Sequence, residues 1–341
     1  MIHKKRLLAV LLVLAAATAS VASASRMDAT SQKSAVHIDV VGVAPVPLFA
    51  LVQYALQKGY FPPSIDVSYK FVTSPVANPL LGGGQVQFAL AGSPNFDLLA
   101  AGGAPVAWLG AYNTFPDLQF VACCNINSVA DLKGKTVGIT GPGTLGALLT
   151  NEMFARAHFA SSDFTIAALG TLGAMQAALN SGSIQGLLSS PPVPQQIAAG
   201  LPGAKVIYDY TSPGHGLDWL GAGIAGYMPW VKAHPAATVA LLQGLNKAVV
   251  NWPKDEAGAE AAVTAYTGEQ NQANLAQDWQ AVNKDLSKGL VPVPLHTEVH
   301  VMQILRDNGF PQAVATLAPK MIAPAYLWKA VPGTKPTAKK K

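Results

Sequence analysis

From Ala35 onward, short apolar runs that read as buried strands alternate with stretches of helical spacing, and this alternation constrains the fold more than any other feature. Val36 to Val43 is strand-like, Pro47 to Lys58 is helical with Gly59 as C-cap, and Val67 to Val72 is again a strand. Pro75 to Leu81 reads as a short helix, Val86 to Ala91 as a third strand, and Pro94 to Ala101 as a helix with Ser93 as N-cap and Pro94 in its first turn. Ala104 to Tyr112 returns to strand. Strands separated by helices pair in parallel through right-handed crossovers, so the expected class is α/β.

The chain has 341 residues, too many for one ordinary core, and two lobes are the default. Residues 1–24 have a basic start, an apolar run from Leu7 to Ala17 and a small-residue exit at Ala22-Ser23-Ala24. These are the marks of a secretory signal peptide cleaved near Ala24, and the apolar run is short of the ~20 residues a bilayer crossing needs. No cysteine lies just after that point, so a lipid anchor is not expected. Three of the basic residues leave with the leader and four lie in the tail, so the formal charge of +5 becomes −2 between them. A body so nearly neutral argues against a nucleic-acid partner. The Pro332-Gly-Thr-Lys-Pro-Thr-Ala-Lys-Lys-Lys341 end reads as a basic disordered tail from about residue 331.

A second set of elements begins at Asp131. Lys135 to Thr140 reads as a buried strand, Gly141 to Thr144 as a turn and Leu145 to Phe159 as a helix. The first N–H groups of a helix lack internal partners and carry the positive end of its dipole, so such a turn can hold a small anion without a charged side chain. The competing reading is that Thr144 caps the helix and nothing binds. No Lys-Ser or Lys-Thr follows the glycines, which excludes a Walker loop.

Val129-Ala-Asp-Leu-Lys-Gly-Lys-Thr-Val-Gly138 resembles the opening of the second lobe in periplasmic solute-binding proteins of the nitrate, sulfonate and taurine ABC-transporter group, the SsuA-like or NMT1/THI5-like family. Ala177-Ala-Leu-Asn-Ser-Gly-Ser-Ile-Gln-Gly186 with Pro191-Pro192, Tyr54-Ala-Leu-Gln-Lys-Gly-Tyr-Phe61 and Trp230-Val-Lys-Ala-His-Pro235 are similar to further family segments in the same order, from about Val36 to about Phe310. The resemblance implies a two-lobed periplasmic-binding-protein fold of type II, each lobe a mostly parallel sheet flanked by helices, joined by a two-crossing hinge. It also implies an extracytoplasmic solute-binding component that delivers a sulfonate, taurine, nitrate or pyrimidine to an inner-membrane permease.

Within that frame, residues 35–122 and 225–330 are expected in lobe 1 and residues 123–224 in lobe 2. The crossings are expected near Phe120 to Asn125 and Trp219 to Gly226, and the helices Ala236 to Trp252, Ala257 to Tyr266, Asn271 to Leu286 and Thr297 to Asn308 pack on the first lobe. In open α/β sheets ligands gather outside the carboxyl ends of the strands. That singles out loops 44–49, 73–78, 92–95 and 112–115 in lobe 1 and 141–144, 170–174 and 189–193 in lobe 2. Their candidate ligand-binding residues are Pro47, Phe49, Ser74, Ser93, Asn95, Tyr112, Gly143, Thr144, Thr171, Ser189 and Pro191, with Trp219 from the second crossing. These loops contain no Lys, Arg, Asp, Glu or His, and only His215 and Asp218 are ionisable and nearby. The ligand is therefore neutral, or an anion held by backbone N–H groups and hydroxyls, with Phe49, Tyr112 and Trp219 free to flank an aromatic part or to serve as core.

Cys123 and Cys124 are adjacent and read as small apolar residues sooner than as a strained vicinal disulfide, and they do not reproduce the cysteine-rich motif of the family's pyrimidine-making enzymes. His296 and His300 are spaced to share a helix face without the metalloprotease order, and Gly82-Gly83-Gly84 reads as a connector. No nucleophile elbow is present. The sequence thus points to no enzyme, cofactor or metal and to a monomeric protein. The rival readings are an exported enzyme, which needs an acid/base pair or metal in the cleft, and a periplasmic sensor on the same fold.

Overall fold

A computed structural model describes residues 34–212 and 215–336; the expected leader and the last five residues lie outside the described residues. Two five-stranded sheets organise the described residues from 35 to 336, which form one compact unit. The first sheet has the order β2-β1-β3-β10-β4, built from β1 (Val36–Gly42), β2 (Ile65–Phe71), β3 (Phe88–Ala91), β4 (Val106–Asn113) and β10 (Ala222–Tyr227). The second has the order β7-β6-β8-β5-β9, from β5 (Gln119–Ala122), β6 (Thr136–Ile139), β7 (Thr165–Ala168), β8 (Gly186–Ser189) and β9 (Lys205–Asp209). The inner strands β3, β5 and β8 are buried at every position, as unbroken apolar runs between helical layers must be, and so is the edge strand β4, which the helix Pro324–Ala330 covers. The edge strands β2, β7 and β9 keep exposed positions.

Both sheets are mixed, and each owes this to a single strand. β10 runs antiparallel to β3 and β4, and β5 runs antiparallel to β8 and β9. The parallel strands all end on the side facing the other lobe, so a chain arriving from that lobe enters the new sheet at its carboxyl-end face and must run backwards through it. Mostly parallel sheets are as expected, with one reversed strand in each.

The passages also lie earlier than the sequence suggests. The chain leaves the first sheet after Asn113 and is already paired in the second at Gln119, so the first passage is residues 114–118 and β5 belongs to the second lobe. The return runs from β9 to Ala222, residues 210–221, so the second lobe's sheet spans Gln119 to Asp209 rather than starting at residue 123.

Helices α1 (Leu51–Gln57), α2 (Ser74–Gly82) and α3 (Asn95–Ala101) connect strands of the first lobe, and α4 (Leu145–Arg156), α5 (Leu172–Asn180) and α6 (Val193–Gly200) those of the second. The chain then forms α7 (Met228–Ala233), α8 (Pro235–Asn251), α9 (Glu256–Thr267), α10 (Gln272–Asp285), α11 (Leu295–Asp307) and α12 (Pro324–Ala330), with α8 and α9 against α1 and α12 against β4. Lys58 ends the first helix and Gly59 follows at φ +62°, the left-handed position that glycine takes without a Cβ clash. The tail is not wholly irregular, since Pro332–Thr334 forms a 3-10 turn. No helix among the described residues is long and apolar enough to cross a membrane.

Candidate functional site

The two passages meet at glycines. A Cβ on Gly221 would lie 2.0 Å from the Phe115 carbonyl oxygen, and one on Gly92 would lie 2.2 Å from the Gly221 carbonyl oxygen. Only bare backbone allows the chain to cross twice in so small a space. Trp219 locks the return passage, with its indole N–H donating to the Ser93 carbonyl at 2.8 Å and its ring fully buried. Around it an apolar cluster joins Leu148 of α4 to Val301, Met302 and Leu305 of α11. Trp219 is thus a structural link between passages and lobe 1, not a free ligand platform.

Next to the passages lies a cavity of about 710 Å³ faced by both lobes, a size that suits a small organic ligand. Lobe 1 supplies one face of α10, with Asn274, Gln277, Gln280, Lys284 and Asp285. Lobe 2 supplies Gln119 at the start of β5, Pro191 and Pro192 beyond the end of β8, Gln195 and Gln196 on α6, and Thr211. Part of this wall is tied together. The Gln119 amide donates to Asp209 at 2.8 Å and its carbonyl oxygen accepts from Gln195, while Thr211 donates both its N–H and its hydroxyl to Asp209.

Behind the wall sit two carboxyls. Asp117 in the first passage is 4% exposed and Asp285, the last residue of α10, is 5% exposed. The Ser190 hydroxyl donates to Asp117 at 3.4 Å. Burial pushes both acids upward, and for Asp285 the neighbouring Asp117 adds to the rise while Lys284 opposes it. Two carboxyls sharing one buried site hold a proton between them. A second buried acid pair, Asp97 on α3 and Glu298 on α11, is raised by burial first, with Asp97 adding to the rise of Glu298; Asp97 accepts the Trp108 indole N–H at 2.6 Å.

Of the twelve candidates, Pro191 lines the cavity, and Ser189, 7% exposed, is the β8 residue paired with Gln119. Ser93 is buried with its hydroxyl unpartnered, and it does not cap α3, which starts at Asn95 with Pro94 in the cap position. Asn95 turns back to the Gly92 carbonyl. Pro47 and Phe49 are buried in a one-turn 3-10 helix, where the Phe49 carbonyl accepts from Tyr69. Tyr112 is fully buried with its hydroxyl unpartnered, and Ser74 opens α2 half-buried.

In lobe 2, the Thr144 hydroxyl donates to Gly141 at 2.7 Å and accepts from the Ala147 N–H, which satisfies the cap internally. Gly143, at φ +73°, faces Leu98 and Phe310 across the lobes, an apolar setting. Thr171 is exposed and caps α5 through the Ala174 N–H. The strand-end loops are as free of charge as the sequence indicates, but the cavity is not. Lys284, Asp285 and the adjoining Asp117 lie outside those loops, Asp117 by two residues and the others on a helix from the far end of the chain.

The other motifs are absorbed by structure. His296 lies 3.5 Å from the Asp218 carboxylate and His300 hydrogen-bonds the Asp218 carbonyl at 2.8 Å. Both cysteines are free thiols, Cys123 buried and Cys124 exposed; burial, then the neighbouring thiol, pushes Cys123 up to about 12.

The family model described as NMT1/THI5 like matches residues 47–207. No curated protein sequence matches the chain. Among solved structures, the chain is similar to the putative periplasmic sulfonate-binding protein SsuA from Methylobacillus flagellatus KT, at 19% identity over 90% of this chain and 99% of that one, TM-score 0.65. It is similar to a zinc-bound ligand-binding component of an ABC-type import system from Staphylococcus aureus, at 14% identity over 86% and 99%, TM-score 0.72. It is also similar to the periplasmic nitrate-binding protein NrtA from Synechocystis PCC 6803, at 13% identity over 88% and 89%, TM-score 0.69. The family resemblance read from the sequence is borne out, and the fold is that of the periplasmic binding proteins.

Proposed function

We propose that this chain is the extracytoplasmic solute-binding component of an ABC importer, exported to the periplasm as a monomer, and that it captures a small organic ligand between its lobes and hands it to an inner-membrane permease. The observation that carries the reading is the cavity faced by α10 from one lobe and by β5, α6 and the end of β8 from the other. A ligand touching both walls at once has contacts in the closed arrangement that it lacks when the lobes part, and that differential affinity drives closure. The thin double passage at Phe115 and Gly221 is where such a rotation would be absorbed. No covalent step is required. The ligand classes implied by the resemblance are sulfonates, taurine, nitrate and aromatic or pyrimidine compounds, and the similar proteins named for sulfonate and nitrate support testing those first.

The experiment is a thermal-shift screen of these classes on the purified mature protein, with small-angle scattering of any hit. A true ligand at one hundred times its Kd stabilises by about 2.7 kcal/mol and reduces the radius of gyration. The reading fails if no compound raises Tm, or if stabilising compounds leave the protein's dimensions unchanged.

A further inference from the structure

We propose that the interlobe cavity selects ligands that present a hydrogen-bond-donating nitrogen group, uncharged or cationic, such as a carboxamide, ammonium or amidinium, at Asp285, and that it rejects oxyanions there. This rests on the solute-binding reading above and names the ligand class of the same site.

Three independent features of the lobe 1 wall act in one direction. The Asp285 side chain is 5% exposed, lines the cavity, and receives no hydrogen bond from any N–H group among the described residues. Its hydrogen-bonding neighbour in the first passage is another acid, Asp117, itself held by the Ser190 hydroxyl. Asp285 is also the final residue of α10, where the helix dipole places its negative end, so the backbone adds to the acidic potential instead of relieving it. Asp209, in reach from β9, has the same sign but is already engaged by Gln119 and Thr211. Lys284 is the one cation lining the cavity; it is exposed, lowers the charge cost at Asp285 without bonding to it, and its charge is thereby already set against that acid.

The proton shared with Asp117 leaves the pair with a net negative charge and Asp285 with no N–H donor, and a ligand N–H or N–H⁺ group supplies what the protein omits. The remainder of the wall agrees. Gln196, Gln277 and Gln280 present carboxamides with no side-chain partner among the described residues, groups that both donate and accept but carry no charge to balance a sulfonate. No arginine lines the cavity.

The test uses matched probes on one scaffold, benzamidine, benzamide and benzenesulfonate, followed by propylamine, propionamide and ethanesulfonate, measured by thermal shift and calorimetry on wild type, Asp285→Asn and Asp117→Asn. In wild type the amidine and amide, or their aliphatic counterparts, bind and the sulfonates do not. In Asp285→Asn the preference of cation over amide falls about tenfold, the loss of one close charge partner, while the amide is retained. Asp117→Asn removes the acid that raises Asp285 and leaves Asp285 to carry the charge alone, so there the cation preference is kept or rises, an outcome independent of how Asp285→Asn folds. Sulfonates that bind wild type more tightly than the nitrogen probes overturn this inference and leave the solute-binding reading standing. An unchanged cation-to-amide ratio in folded Asp285→Asn, or a ratio that falls in folded Asp117→Asn, also overturns it. If neither these probes nor the wider screen stabilises the protein, both readings fall.

Discussion

Replacing Asp278 by Asn should stabilise this protein at alkaline pH and leave it nearly unchanged in acid. Asp278 lies on α10 with 6% of its surface exposed, and its carboxyl receives no hydrogen bond among the described residues. Burial, and then the negative charge of Glu269, pushes its ionisation up to about 7. In the unfolded chain it ionises near 3.9. Because the folded value is the higher one, the folded state holds a proton that the unfolded state has lost throughout the interval between them, and stability drops as pH climbs from ~4 to ~7. Three units at about 1.4 kcal/mol each set an upper bound of about 4 kcal/mol, and relaxation and solvent screening reduce the working figure to about 2 kcal/mol. Asn mimics the neutral acid and removes this loss. At about 2 °C per kcal/mol for a chain of this size, the variant should melt some 4 °C above wild type at pH 8 and within about 1 °C of it at pH 4.5. Calorimetric melts of both proteins at constant ionic strength from pH 4.5 to 8.5 give the comparison. Asp285 is seven residues away along the same helix, about 10 Å, so its titration is common to both proteins and cancels in the difference. A variant that melts lower at pH 8, or whose offset from wild type does not vary with pH, would refute the reasoning.

Wild type itself should lose Tm steadily from pH 5 to pH 8, because Asp97, Glu298, Asp117 and Asp285 are all raised by burial and their contribution is present in acid and lost as each ionises; a Tm that climbs over this range contradicts the assignment. Gly221→Ala puts a methyl into the Phe115 carbonyl and should cost about 3 kcal/mol or more, read as a large fall in Tm; a melt within 1 °C of wild type means the passages do not touch there. Thr144→Ala removes an internal cap and should cost about 1 kcal/mol, checked by urea melts with an unchanged m-value.

Most of the fold was legible because its periodicities are local. Lys135 to Thr140 and Leu145 to Phe159 were read as strand and helix and appear as β6 and α4, trimmed by a few residues at their ends. The helices of the C-terminal part fall within two residues of expectation at most ends, because their apolar spacing is written in the residues themselves. What was not legible is direction. β5 and β10 look like any buried strand, and nothing in Gln119-Phe-Val-Ala122 records that the chain enters its sheet from the cleft side. The Ser93 cap failed for a related reason. Ser followed by Pro is a good local start signal, yet α3 begins one residue later with Pro94 in the cap position, while the Ser93 carbonyl is held by an indole 126 positions away.

The site was the least legible part, and the cause lies in how the passages are built. Each runs from the carboxyl end of a strand in one sheet to the start of an antiparallel strand in the other, so the hinge and the cavity occupy the same face of both sheets. Residues of the passages and their strand ends, Gln119 and Thr211, therefore serve as hinge and wall at once, with Asp117 directly behind them. A rule that looks only at loops after parallel strands stops at Phe115, two residues short of the acid that abuts the cavity. It also misses α10, which reaches the same place from more than 150 residues further on. Because Asp117 lies in the passage between the lobes and Asp285 on lobe 1, any group that satisfies Asp285 also changes the electrostatic cost of holding Asp117 beside it. Ligand charge thus acts on the contact between the lobes directly, without a relay through the core.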